Sequence, residues 1–126
     1  MSLLEILVVV VILSILAGVA LPMYAKSLAR SREGEGWSIL AAVRFSQLRY
    51  YTERDEVFAD TIDKLDIEDP GANPRSLFTY CIRHTGTTDF TAVAVPIAAK
   101  CPSCRTLCID YTGRRDTVPS GSCPSC

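Results

Sequence analysis

The sequence predicts an α+β chain: a long N-terminal α-helix packed on a small antiparallel β-meander, followed by a C-terminal loop stapled by disulfides. Three observations carry that expectation. Residues 3–21 are apolar almost without interruption, and residues 26–56 then become amphipathic at helical spacing. Residues 77–112 hold three β-rich runs separated by turn residues. Five of the six cysteines fall in the last 26 residues, behind that sheet. The chain therefore divides into an apolar half-helix (1–25), an amphipathic half-helix (26–56) and a globular loop-plus-sheet unit (57–126).

A helix of about 20 residues rises about 30 Å, the thickness of a bilayer's hydrocarbon core. The stretch from Leu3 to Leu21 has that length and shows no polar face before Tyr24. It must be covered on all sides, by lipid or by copies of itself. As a secretory signal it fits poorly, because no Lys or Arg precedes the apolar run and the first basic residue is Lys26. A basic flank on the C-terminal side alone would place that side in the cytoplasm. The cysteine density points instead to an oxidising compartment. Removal of a basic leader, with Met1 as a processed N-terminus, would reconcile the two. Net charge is −1, so no global field points to nucleic acid and no nucleic-acid site is evident.

Glu5 is the anomaly in the apolar run. A lone carboxylate at membrane depth either neutralises or finds a cation. The nearest cation is the α-amino group of residue 1, which a staggered neighbouring copy can present. Such a pair would set axial register, as a buried polar group does in a coiled coil. The plainer reading is a first-turn acid favouring the helix dipole, worth about 0.3–1 kcal/mol. Farther along, Pro22 lacks a donor and crowds the carbonyl of Gly18, so Gly18 and Pro22 together mark a weak point, either a kink or a site of unwinding.

In the amphipathic half, Trp37, Leu40, Ala41, Leu48 and Tyr51 form the inward stripe, with Ile39, Val43 and Tyr50 widening it. Arg49 and Glu53 are spaced for an i, i+4 pair. Gly34 and Gly36 each lower helix propensity by about 1 kcal/mol, marking a second soft point. Asp60 or Thr61 can cap a short turn that directs Ile62 and Leu65 inward. Pro70-Gly71 and Asn73-Pro74 mark a loop. Strands are expected over 77–83, 90–97 and 105–112, the first two as a hairpin, for a meander of three or four strands. Alternation directs Phe78, Tyr80 and Ile82, and likewise Leu107, Ile109 and Tyr111, towards the helix. His84, the sole histidine, is expected as an exposed turn residue.

Two Cys-Pro-Ser-Cys motifs, Cys101/Cys104 and Cys123/Cys126, have the spacing of a four-thiolate zinc site. An oxidising compartment and an even total, completed by Cys81 and Cys108, favour disulfides over structural zinc or redox-active thiols. Six cysteines allow 15 pairings. Cys81 and Cys108 face outward on strands two spacings apart, about 9–10 Å, which is beyond disulfide reach. The tail bearing Cys123 and Cys126 is then expected to cross the outer face to meet them, leaving Cys101–Cys104 local. Arg105 stands where a haem-attachment motif would carry His, and no cofactor is expected. Asp110 and Asp116 are too few for a calcium site of six to eight oxygens.

The residues Ser2-Leu3-Leu4-Glu5, the apolar run to Leu13 and Ala17-Gly18-Val19-Ala20-Leu21-Pro22 resemble the mature N-terminus of type IV pilins and pseudopilins. The resemblance covers about the first 30 residues, and Met1 replaces the family's usual Phe. It implies a pilin fold and removal of a leader by a prepilin peptidase, with N-methylation of residue 1. It further implies storage in the inner membrane and polymerisation, through the pilus assembly machinery, into an extracellular helical filament of identical subunits. Glu5 would pair with a neighbour's N-terminus, and helicity would be lost near Gly18–Pro22. A pseudopilin of a type II secretion system is the alternative within the family. A membrane-anchored zinc or thiol-redox domain is the alternative outside it. No catalytic constellation is visible, so an enzyme is not expected. Thiol titration with zinc analysis of the purified protein should find neither free thiols nor stoichiometric metal; six free thiols without zinc would overturn both cysteine readings.

Overall fold

The structure is a computed structural model and describes residues 1–84, 86–117 and 123–126. Thr85 of the expected hairpin connection and residues 118–122 of the expected tail lie outside the described residues. The order of elements is helix α1 (Leu3–Glu53), two short 3₁₀ turns (Ile62–Lys64 and Pro70–Ala72), and strands β1 (Phe78–Arg83), β2 (Thr91–Pro96), β3 (Leu107–Asp110) and β4 (Arg115–Thr117). The strands form one antiparallel sheet in sequence order, β1-β2-β3-β4.

Helix α1 spans 51 residues, about 75 Å at 1.5 Å per residue. Its helical backbone continues through Pro22, Gly34 and Gly36. Ser14, the one hydroxyl within the apolar run, donates to the Val10 carbonyl at 2.7 Å and so needs no outside partner. The helix stops where Asp55 and Glu56 take left-handed conformations, with φ of 51° and 61°. That turns the chain back so that Phe58 and Ala59 enter the core.

The core lies between the second half of α1 and one face of the sheet. Leu40 and Val43 meet Phe78, Ile82, Ala92, Ala94, Leu107 and Ile109, with Phe58, Ile62, Leu65 and Phe90 closing the end. Trp37, Tyr50 and Tyr51 pack at its margin. Gly36 is buried in this seam, and it replaces the expected soft point with a packing position. A Cβ there would come 2.9 Å from Leu107 Cδ1 and 3.2 Å from Phe78 Cε2. Gly34, two residues earlier and on the opposite side of the helix, has open space.

Three further expectations are corrected. Arg49 pairs with Asp66, on the segment after the first 3₁₀ turn, rather than with Glu53. Thr61 precedes that turn without a side-chain cap, while Asp60 pairs with Lys64 at 2.7 Å. Tyr111 lies past the end of β3 and is exposed, because its backbone is used instead: its N–H donates to Phe90 O at 3.0 Å and its carbonyl accepts from Arg44 Nε at 3.2 Å.

The two glycines test the seam. Gly36→Val should cost about 1–3 kcal/mol by overpacking. Gly34→Ala should be neutral or stabilise by up to about 1 kcal/mol through helix propensity. Denaturant unfolding of the detergent-solubilised chain measures both, and equal effects would contradict the close approach at Gly36.

Candidate functional site

Among the described residues, nothing packs against the apolar half of α1. It is long and apolar enough to cross a bilayer, and its most apolar 18-residue window is 0% buried. Leu3, Leu7, Leu13, Ile15, Leu16, Val19 and Leu21 are all more than half exposed. A monomeric soluble protein does not leave such a continuous apolar surface bare. At its start, the Ser2 N–H donates to Glu5 Oε2 at 3.4 Å. That is longer than the usual 2.7–3.2 Å for an N–H···O bond, so within one chain Glu5 is only loosely engaged. Met1 is 99% exposed. Gly18 has open space around it, and Gly18 and Pro22 both lie on the uncovered helix.

Below this bare segment, a polar seam holds the helix to the loop before β3. Glu33 is buried on α1 and takes three bonds from Arg105: the N–H and Nε to Oε1, both at 3.1 Å, and a terminal nitrogen to Oε2 at 2.8 Å. The side-chain bonds to Arg105 hold the Glu33 carboxyl below its ordinary value, against the opposing effect of burial. Arg32 donates to Lys100 O at 3.2 Å, and Lys100 Nζ donates to Pro74 O and Ser76 O at 2.6 and 3.0 Å. Nearby, burial pushes the Tyr80 hydroxyl up to about 12.

All six cysteines are paired: Cys81–Cys126, Cys101–Cys104 and Cys108–Cys123. The four cysteines of the two motifs are therefore distributed over three bridges and leave no free thiolate set for zinc. The register shows what the two long-range bridges do. Cys81 lies opposite Val93, and Val93 opposite Cys108, so the three stand in one row on the face turned away from α1. Val93 is completely buried there, between the two bridges that anchor Cys123 and Cys126. Arg83 Nε adds a bond to Ser125 O at 2.7 Å. The sequence carries a signal for this cover that alternation alone misses. Ala92-Val93-Ala94-Val95 is apolar at successive positions, the mark of a strand buried on both faces.

Asp110 and Asp116 are engaged in backbone geometry. Asp110 Oδ1 accepts from the Arg114 N–H at 2.9 Å and from Thr112 Oγ1, across a turn in which Gly113 has φ +92°. Burial raises the Asp110 carboxyl, but these bonds together hold it below its usual value. Asp116 Oδ1 accepts from the Thr117 N–H at 2.9 Å. Among the described residues, no three His, Cys, Asp or Glu side chains gather in a metal-holding group. His84, expected as an exposed turn residue, is half-buried, with Nε2 2.7 Å from Ala59 O and Nδ1 2.9 Å from Asp89 O.

No protein-family model matches the chain, and no curated protein matches it. Among solved structures it is similar to a type IV pilin from Shewanella oneidensis, with 20% identity and a TM-score of 0.48, over 77% of this chain and 97% of that one.

The Glu33–Arg105 seam predicts an acid dependence of stability. A carboxyl with a lowered folded-state pKa contributes stability above its unfolded value, 4.5, which is lost as pH falls through the folded value. Arg105→Ala should cost about 1–3 kcal/mol at neutral pH by leaving a buried carboxylate unpaired. Glu33→Gln should flatten the acid limb of a pH–melting curve, and an unchanged acid limb would refute this role.

Proposed function

We propose that this chain is a pilin-like structural subunit, stored in a membrane by α1 and polymerised through the same helix into an extracellular filament of identical copies. The observation that carries this reading is the uncovered apolar helix with a single carboxylate near its start. Residues 3–21 contain fourteen Leu, Ile and Val. On an insertion scale these favour the bilayer by about 0.3–0.6 kcal/mol each, so these side chains together contribute on the order of 4–8 kcal/mol. That suffices to hold a subunit in a membrane and is small enough for neighbouring helices to replace lipid. A folded unit of sheet and disulfides beyond it suits display outside the cell.

Glu5 would give the polymer its register. Among the described residues its carboxylate is bonded by the Ser2 N–H at a long 3.4 Å, so a neighbour's α-amino group offers a better, charge-assisted partner. Gly18 and Pro22 would be the place where helicity is given up on assembly, since the Gly18 carbonyl has no i+4 donor. Trimming of a leader by a prepilin peptidase, N-methylation of residue 1 and export by a pilus assembly machinery belong to the same proposal, resting on the residue 2–22 motif.

Glu5→Ala should leave the globular unit folded, with its disulfides and its acid dependence intact, while reducing filaments at least tenfold by electron microscopy of producing cells. Wild-type filament abundance in that variant would refute the pairing. The absence of any filament from the wild-type chain, expressed with an assembly machinery, would refute the polymer itself.

A further inference from the structure

We propose that the tail is a redox-releasable staple: one two-electron reduction frees both of its anchors, because Cys123 and Cys126 can close on each other. The inference stands apart from the proposed filament and rests on one tetrapeptide used in two ways. Cys101-Pro102-Ser103-Cys104 and Cys123-Pro124-Ser125-Cys126 are identical in sequence. The first forms a turn: the Cys104 N–H donates to Cys101 O at 3.3 Å, and the Cα atoms of the two bonded cysteines lie 5.4 Å apart. Proline presets the backbone at the second position of such a turn, and that Cα separation is within disulfide reach. The turn is encoded by local residues, so the second copy carries the same preference. There it is unused. Residues 123–126 take no turn, and their cysteines are drawn apart to Cys108 and Cys81.

Strand register makes the release all or none. Cys81 and Cys108 both stand opposite Val93, on strands two spacings apart, about 9–10 Å. They cannot bond one another. Once Cys123 and Cys126 are joined, both sheet cysteines are free thiols and the tail has neither anchor. Access favours entry at the tail. Cys126 is exposed, and Cys123 is less buried than its partner Cys108. Cys101, in the local bridge, is 1% exposed. The electron source is a dithiol. One of its thiolates attacks Cys126 Sγ, and Cys81 leaves as a thiolate. Its second thiol then closes the reductant into a disulfide and releases the Cys126 thiolate. Cys126 attacks Cys123 Sγ, three residues away, and expels Cys108. In sum, one dithiol is oxidised, the Cys123–Cys126 bond replaces the two long-range bridges, and Cys81 and Cys108 take up the dithiol's two protons. The bond from Arg83 to Ser125 O is lost with the anchors, and Val93 loses the bridges that cover it.

The test is limited reduction of the full, oxidised chain in detergent micelles with dithiothreitol, without denaturant. Free thiols are trapped with N-ethylmaleimide at low pH, and the first species with two labels is mapped by peptide mass spectrometry. Its labels should sit on Cys81 and Cys108, with Cys123 linked to Cys126 and Cys101 still linked to Cys104. Labels on Cys81 and Cys126, with Cys108–Cys123 intact, would mean that one bridge simply opens, and would overturn the proposal. Labels on any other pair would overturn it as well. Pro124→Val, which removes the preset turn, should lower the ratio of rearranged to simply opened chain about two- to fivefold, the scale of one proline's restriction of a free chain. An unchanged ratio in that variant would refute the turn as the cause. Should the variant fold poorly, the wild-type label map decides alone.

Discussion

The closeness of α1 to the sheet at Gly36 is the constraint on which the rest of the structure depends. With no Cβ at that position, Leu107 and Phe78 press against the helix backbone, and the core residues Leu40 and Val43 reach the sheet from the next turn. A larger residue would lift the helix by a few tenths of an ångström or more, and the interior is too densely packed to absorb that without loss. Glu33, one turn before Gly36, can then reach Arg105 with three bonds. The same contact decides where α1 stops being a domain helix. From Glu33 onward one face is buried, whereas every residue from Met1 to Leu28 is exposed.

That boundary gives a single helix two different solvents. The second half is stabilised in the ordinary way, by an apolar stripe under a sheet. The first half is helical throughout and satisfies its one hydroxyl internally, as a segment in hydrocarbon must, with the Gly18 carbonyl opposite Pro22 left without its i+4 donor and Glu5 loosely bonded. A polymer of such helices would answer the demand for cover without altering the globular unit. The small sheet needs its own reinforcement. Val93 faces away from α1, and the two bridges that hold Cys123 and Cys126 close over it, so each strand of the sheet's centre is packed on both sides.

Local signals in the sequence made much of this legible. The apolar run, the amphipathic stripe and the β-rich runs each depend on periodicity, which reports what one face of an element meets. Strand alternation and the span across two strands narrow the long-range disulfides, but only the structure pairs Cys126 with Cys81 and Cys123 with Cys108. Other features depend on partners far along the chain. Arg49 chose Asp66 over the nearby Glu53, because the segment after the 3₁₀ turn brings that carboxylate to the helix. Local pattern predicts His84 as an exposed turn residue, because it does not reveal that Ala59 O lies 2.7 Å from the ring. Gly36 read as a helix weakener for the same reason, since its propensity is local and the approach of Leu107 is not.

The sequence by itself determined the α+β class, the long helix with an uncovered apolar half, the position of its one carboxylate and the oxidised character of the tail. Each follows from composition and period over a few turns or a few strand residues. Only the tertiary structure decided that Gly36 lies against Leu107 and Phe78, that Glu33 and Arg105 lock helix to loop, that the tail covers Val93 and that the His84 ring lies between two carbonyls. These depend on contacts between residues 25 to 72 positions apart, or on strand register, and no local pattern encodes which distant groups will meet.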